Sequence, residues 1–89
     1  MKAVLLLIEG KVQGVGMRYF IRKNALKLNV SGYAKNLTNG KVEALLVGQK
    51  ENLDKLIYII KNDSPGIVKS ISVNETDFSI EWDGKFEIL

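Results

Sequence analysis

Two glycines separated by one residue stand just before an arginine, between an apolar run and a segment with helical periodicity. Glycine permits positive φ angles, so successive backbone N–H groups in such a loop can point inward and form an anion-binding nest. A following helix adds free N–H groups and the positive end of its dipole. The alternative is a tight turn from strand to helix with no ligand. The candidate anion-binding residues are Val12, Gln13, Gly14, Val15, Gly16, Met17 and Arg18.

Arg18 stands where the first turn of the predicted helix begins. The helix dipole disfavours a cation there by about 0.3–1 kcal/mol, and a bound phosphate would reverse the sign of that effect. The guanidinium group also presents a planar pair of donors that matches two phosphate oxygens. The alternative interpretation is a solvated surface arginine.

Asn36 is the second candidate, near the end of a predicted strand. Asparagine is depleted in strands and common in turns, so one interpretation is turn formation together with Asn39. The functional interpretation is a side-chain amide that accepts a hydrogen bond from a water molecule and fixes its orientation. Because an amide cannot act as a general base, Asn36 could only position a nucleophile.

The composition excludes several kinds of active site. The sequence has no cysteine and no histidine, so disulfides, a thiolate nucleophile, an imidazole base and the commonest metal ligands are all missing. We therefore expect neither a metal nor a cofactor. A chain of 89 residues suffices for one domain, predicted over 1–89. The apolar run at 3–8 ends at Glu9 and is too short for a membrane span, which predicts a cytoplasmic protein that does not bind membranes.

Charge is unevenly distributed along the chain. Residues 1–45 contain eight Lys or Arg against two acidic residues, and residues 46–89 contain five Lys against eight acidic residues. The basic half favours an anionic ligand. A solvated helix face explains Arg22, Lys23 and Lys27 equally well.

The hydrophobic pattern predicts the elements that must position these residues. Period-2 and continuous apolar runs predict strands over 2–9, 32–37, 41–47 and 67–74, and period-3.6 patterns predict helices over 18–29 and 50–62. Asn39-Gly40 is typical of a hairpin turn. Short extended pieces are expected over 78–82 and 86–89.

This order of elements predicts an α+β fold of the ferredoxin-like, split βαβ kind (βαββαβ). The antiparallel sheet then has strand order 4-1-3-2, with both helices on one face. In this topology the first two strands have their C-terminal ends at the same end of the sheet, where the first helix begins. Arg18 and Asn36 can therefore meet there, although 18 positions separate them.

Parity along the first and third strands predicts an apolar patch on the face that the helices leave open. Val42, Ala44 and Leu46 are the expected core set, and Glu9 should point away from the helices. We expect the patch to be covered by residues 78–82 or to support weak self-association. Its predicted members are Leu5, Leu7, Leu45 and Val47.

Two blocks of the sequence resemble the signatures of the acylphosphatase family. Residues 9–18, EGKVQGVGMR, are similar to its phosphate-loop signature, and residues 32–43, GYAKNLTNGKVE, to its second motif at a matching separation. Residues 64–66 and Phe86 also fit the family pattern. Met17 replaces a usual phenylalanine, and Asn39-Gly40 replaces a more usual Asp-Gly; neither change affects a catalytic position.

The resemblance implies hydrolysis of the carboxyl–phosphate bond of acyl phosphates to a carboxylate and inorganic phosphate. It implies that Arg18 binds the phosphoryl group and that Asn36 orients the attacking water, without a metal or a phosphoenzyme. Inorganic phosphate is then both a product and a competitive inhibitor. We expect a monomer or a weak homodimer.

Two alternatives belong to other classes. The first is a non-catalytic ferredoxin-like module that binds anions or RNA. An RNA-recognition domain would carry aromatic residues on its third strand. Because residues 42–47 contain no aromatic residue, no nucleic-acid partner is predicted. The second is a regulatory acylphosphatase-like domain of the kind found in hydrogenase-maturation carbamoyltransferases. Nothing in this sequence suggests the zinc-finger or transferase parts of those longer proteins.

Overall fold

The computed structural model describes residues 1–76 and 84–89. Within those ranges no helix is long and apolar enough to cross a membrane. The elements are β1 (Lys2–Lys11), α1 (Met17–Lys27), β2 (Ser31–Asn36), β3 (Val42–Gly48), α2 (Lys50–Asp63), β4 (Ile67–Thr76) and β5 (Phe86–Ile88).

The strands form one sheet in the order β4-β1-β3-β2-β5. The predicted order of the first four strands is confirmed, and their pairs are antiparallel. β5 adds a fifth strand, parallel to β2, with Phe86 opposite Gly32. The expectation of a wholly antiparallel sheet is thus corrected to a mixed one. Parallel pairing of distant segments leaves no hairpin signal in the sequence, so the partner of this last segment could not be predicted.

β1 is longer than predicted, and the loop after it is shorter. Gly10 and Lys11 continue to pair with β4 after a register shift between Glu9 and Gly10. Gly10 has φ 136°, and a Cβ there would lie 2.1 Å from the Ile67 carbonyl oxygen, so only glycine fits. Because such a bulge bends the strand, the chain leaves the sheet at Val12. The other boundaries differ from the predictions by at most two residues.

Both helices pack on the same face of the sheet, as predicted. The core between them is formed by alternate strand residues and by one stripe of each helix. Val42, Ala44 and Leu46 are completely buried in this core, so the predicted parity of β3 is confirmed. The buried helix residues are Met17, Ile21, Ala25, Leu53, Leu56 and Ile60.

A second apolar cluster lies on the opposite face of the sheet. Of the predicted patch, Leu45 and Val47 are buried, at 1% and 9% exposed, whereas Leu5 and Leu7 are half-buried. Leu7 lies further along the same face, opposite Glu43 and Ser72. The predicted covering segment, 78–82, lies outside the described residues. The cluster consists of Ala3, Leu45 and Val47, with Leu5 and Tyr33 packed against them.

Candidate active site

Residues 12–16, here called the phosphate loop, join β1 to α1. Gly14 and Gly16 have φ angles of 72° and 82°, a region that L side chains rarely adopt. The φ angles of Gln13 and Val15 are not positive, so the handedness alternates along the loop. That alternation is the backbone arrangement of an anion-binding nest. A Cβ on either glycine would find no heavy atom within 4 Å, so the backbone conformation, and not crowding, requires glycine here.

α1 begins without a side-chain cap. Gly16 is the N-cap residue in the left-handed conformation, no side chain in the described part of the chain caps it, and the first turn has no acidic residue. The Gly16 carbonyl accepts the Phe20 N–H at 3.0 Å, so regular helical bonding starts at once. The first N–H groups of the helix therefore have no acceptor from an N-cap side chain. An anion in the loop would provide one and would also interact favourably with the helix dipole.

The side chains of Val12 and Met17 point into the core. They are 1% and 2% exposed, respectively. Both residues were predicted to bind phosphate, and the structure leaves only their backbone groups for that role. Burial of Met17 at the start of α1 fixes the position of the helix end relative to the sheet.

Arg18 is held by the end of the described chain. Its Nη1 donates a hydrogen bond to the backbone oxygen of Leu89 at 2.8 Å. The Leu89 N–H in turn donates to the Ala34 carbonyl on β2 at 2.9 Å. Ala34 lies two residues before Asn36, and alternate residues of a strand share a face. The structure therefore brings Arg18 to the end of the sheet where Asn36 lies.

Asn36 is the last residue of β2 and is paired with Val42 of β3. Its side chain is half-buried. Ala34, which shares its parity, is completely buried beneath the helices. Asn36 therefore lies on the helix-bearing side of the sheet, the side from which α1 and the phosphate loop approach.

Asn39, not Asn36, forms the hairpin turn. Its Oδ1 accepts the Lys41 N–H at 3.0 Å. The Gly40 N–H donates to the Leu37 carbonyl at 3.2 Å, and Gly40 has φ 89°. The φ of Asn39 is not positive, so the turn is not the type I′ turn that an Asn-Gly pair favours. The turn-forming interpretation of Asn36 is thus wrong, since Asn36 remains in the strand before the turn.

The Gln13 side chain has a role that the sequence pattern does not predict. Its Nε2 donates to the Leu37 carbonyl at 2.7 Å and to the Lys41 carbonyl at 2.9 Å. The phosphate loop is thereby tied to the β2–β3 hairpin. Gln13 was predicted only as a member of the loop, and the 24 and 28 positions between the bonded residues leave no signal in the local pattern.

Positive charge is concentrated at this end of the molecule. A groove behind the hairpin is lined by Lys11, Lys41 and Lys69 around the single acidic residue Glu9. With Arg18 close to the same sheet end, these lysines favour anionic ligands. Within the described residues, no group of three or more His, Cys, Asp or Glu side chains could hold a metal ion.

Tyr33 has a strongly raised pKa, and it lies away from the phosphate loop. Burial disfavours its phenolate form, and the hydrogen bond to Glu43 Oε2 at 2.9 Å and the charge of Glu43 act in the same direction; together they raise the pKa of Tyr33 to about 12. Tyr33 belongs to the cluster on the face opposite the helices. Its titration therefore concerns stability at high pH and not the candidate site.

The fold and the loop together define a ferredoxin-like α+β domain with an anion nest at a helix N-terminus. The acylphosphatase family model matches residues 4–88. An acylphosphatase from Methanocella arvoryzae is 46% identical over 79 residues, which cover 86% of this chain and 89% of that relative. The crystal structure of acylphosphatase from Bacillus subtilis superposes on this chain with a TM-score of 0.92 and 38% sequence identity. The match covers 100% of this chain and 99% of that one. This chain belongs to the acylphosphatase family and hydrolyses acyl phosphates, as the sequence predicted.

The same fold also occurs inside a longer protein. Full-length HypF, solved in a phosphate- and nucleotide-bound form, matches 99% of this chain at a TM-score of 0.91 and 30% identity, but the match spans only 12% of the HypF chain. The relatives called acylphosphatase are instead matched over most of their own length. Neither the acylphosphatase structure nor HypF supports the RNA-binding alternative.

Proposed function

We propose that the phosphate loop and Arg18 bind the phosphoryl group of the acyl phosphate, and that Asn36 orients the water that attacks it. The observation that carries this assignment is the hydrogen-bonded chain from Arg18 through Leu89 to Ala34, two residues before Asn36. It supports a site in which a cation, an anion nest and a water-binding amide act on one phosphorus atom.

The reaction needs positioning and charge stabilisation more than proton transfer. The water oxygen forms a bond to phosphorus while the bond from phosphorus to the carboxyl oxygen breaks, and the carboxylate leaves with the electron pair. Because a carboxylate is a weak base, it departs without a general acid. The proton lost by the water passes to the solvent or to the phosphate product. Backbone N–H groups and a guanidinium supply what such a transition state requires.

Arg18 keeps donors for the substrate while it is held by the protein. A guanidinium has five N–H donors, and the contact with Leu89 is made by Nη1. Among the described residues no acceptor pairs with Nη2 or Nε, so these groups can bind two phosphate oxygens in the planar arrangement that arginine favours. The Leu89 contact fixes the side chain in advance, which reduces the entropy lost on binding.

The test separates phosphate binding from water placement. Arg18→Lys keeps the charge but loses the fork, so we expect the inhibition constant of inorganic phosphate to rise about tenfold or more, with a fall in kcat. Asn36→Ala should reduce kcat by about 100-fold or more and leave phosphate inhibition within about threefold. Matched controls are Arg22→Lys and Asn74→Ala, both at exposed positions. An Asn36→Ala enzyme with parental kcat would refute the assignment.

The proposed chemistry does not depend on a metal. We expect full hydrolysis of an aromatic acyl phosphate in excess EDTA, with inorganic phosphate inhibiting competitively. Activity that disappears in the chelator and returns with magnesium would contradict the mechanism, because the positive charge at phosphorus would then come from a metal and not from Arg18.

We also propose that residues 1–89 act as one domain, as a monomer or a weak homodimer. The support is a single sheet that joins all the described strands. Sedimentation of the parent and of Leu5→Lys over a range of concentrations tests the weak dimer, because Leu5 is half-buried at the margin of the second cluster. A cytoplasmic location stays a prediction from the sequence.

A further inference from the structure

We propose that Gln13 is a positioning residue that sets the register between the phosphate loop and the strand that carries Asn36. The inference rests on the proposed roles of the loop and of Asn36. It starts from two short hydrogen bonds, from the Gln13 Nε2 to the carbonyls of Leu37 and Lys41, at 2.7 and 2.9 Å. A primary amide has two N–H donors on that nitrogen, and both are used here.

The two acceptors form the neck of the β2–β3 hairpin. The Leu37 N–H donates to the Lys41 carbonyl at 2.9 Å, so these residues face each other where the two strands end. Gln13 therefore bonds at once to the residue that follows β2 and to the residue that precedes β3. Asn36 directly precedes Leu37, and a shift of the Leu37 carbonyl relative to the loop moves Asn36 with it.

The loop and the hairpin are also connected through the sheet, because β1, which leads into the loop, pairs with β3 as far as Ile8 and Val42. Gln13 lies beyond that last pair and beyond the bulge at Glu9 and Gly10, so its bonds tie the loop to the hairpin where the strand pairing has ended. Without Gln13 the hairpin still closes, because the Leu37 carbonyl accepts from Gly40 and the Lys41 carbonyl accepts from Leu37. Loss of the Gln13 bonds thus removes these hydrogen bonds between the loop and the hairpin without opening the hairpin. The bonds are partly buried, so water replaces them poorly.

A residue with this geometry affects turnover more than ligand affinity. The anion nest is built from backbone groups within the loop and survives a small movement of the hairpin. The water held by Asn36 must approach phosphorus from a fixed direction, and a misplacement of about 1 Å can reduce a rate about 100-fold. Gln13 touches neither the water nor the phosphorus in this scheme, so it acts through Asn36.

The first experiment removes the donors and keeps the length. Gln13→Met should lower kcat by about 10- to 100-fold while the inhibition constant of phosphate stays within about threefold. Both quantities are measured at a temperature well below the midpoint of thermal unfolding. Gln49→Met is the matched control and should behave like the parent, because Gln49 is an exposed residue at the start of α2 with no side-chain capping bond. Parental kcat in Gln13→Met would overturn the inference. A phosphate inhibition constant that rises as much as kcat falls would also overturn it, since Gln13 would then shape the nest itself.

The second experiment tests whether Gln13 acts through Asn36. If it does, the double variant Gln13→Met, Asn36→Ala should be no slower than Asn36→Ala alone; independent effects would multiply and refute the coupling. Gln13→Lys, which restores a donor for both carbonyls, should recover part of kcat and remains informative if the methionine variant folds poorly. A lysine variant that folds like the parent but is as slow as Gln13→Met would contradict the role of the donors. Parental kcat in Asn36→Ala would instead overturn the proposed site, and with it this inference.

Discussion

Replacement of Gly14 by alanine tests whether the left-handed backbone of the phosphate loop serves ligand binding. Gly14 has φ 72°, and a Cβ there would meet no atom within 4 Å. The substitution therefore introduces conformational strain without a steric clash. For an L residue that strain is about 1–2 kcal/mol.

This strain energy can lower either the affinity for phosphate or the stability of the folded protein. If the loop relaxes to a negative φ, one N–H of the nest turns away and the binding-competent fraction falls about 5- to 30-fold, so the apparent dissociation constant of phosphate rises by the same factor. If the loop stays in place, the strain lowers stability instead, and about 1 kcal/mol shifts the midpoint by roughly 4–8 °C in a domain of this size. Because Gly14 is exposed and uncrowded, we expect relaxation and loss of affinity.

The chain offers a closely matched control in Gly84. This residue has φ 71°, and its Cβ would also meet no atom within 4 Å. It precedes Phe86, which pairs with Gly32 at the start of β2, the end opposite Asn36. Gly84→Ala should therefore bind phosphate like the parent.

The assay is competitive inhibition of acyl phosphate hydrolysis by inorganic phosphate, together with thermal unfolding with and without phosphate. Gly14→Ala should show a raised inhibition constant and a smaller stabilisation by phosphate at equal concentration. If Gly14→Ala and Gly84→Ala have the same parental inhibition constant, the nest does not bind the substrate and the reasoning fails.

Three further outcomes follow from the structure. The pKa of Tyr33, about 12, lies above the ordinary tyrosine value of about 10, so the folded state holds this proton more tightly. The difference in unfolding free energy between the parent and Tyr33→Phe should therefore be constant below pH ~10 and should shrink as the pH rises toward 12. A pH-independent difference would contradict this expectation. Leu56→Ala removes a completely buried side chain and should destabilise the protein by about 2–5 kcal/mol in urea unfolding, and a loss below about 1 kcal/mol would show that the core refills the space. Gly32→Ala should prevent folding, as measured by circular dichroism, because the added Cβ would lie 1.8 Å from the Leu45 carbonyl oxygen and residue 32 has φ 138°. A folded variant would mean that β2 and β3 can separate.

Much of the fold could be predicted because its determinants are local. The apolar stripes that include Ile21 on α1 and Leu56 on α2 follow from a period of 3.6 residues, and the core parity of Val42 follows from the period of two in a strand. The Asn39-Gly40 turn and the glycines of the phosphate loop reflect φ angles that other residues adopt poorly. Each of these signals lies within a few residues of the element that it specifies, so the sequence by itself determined them.

Other features were decided only by the tertiary structure. The Gln13 amide bonds to a hairpin 24 and 28 positions away, and Arg18 bonds to Leu89, 71 positions away. The parallel pairing of β5 with β2 and the burial of Leu45 on the face without helices belong to the same group. Such contacts depend on which strands become neighbours, and any one segment contains only one of the two partners in each contact. They exist only where the fold brings two distant segments together, and for that reason no local pattern in the sequence encodes them.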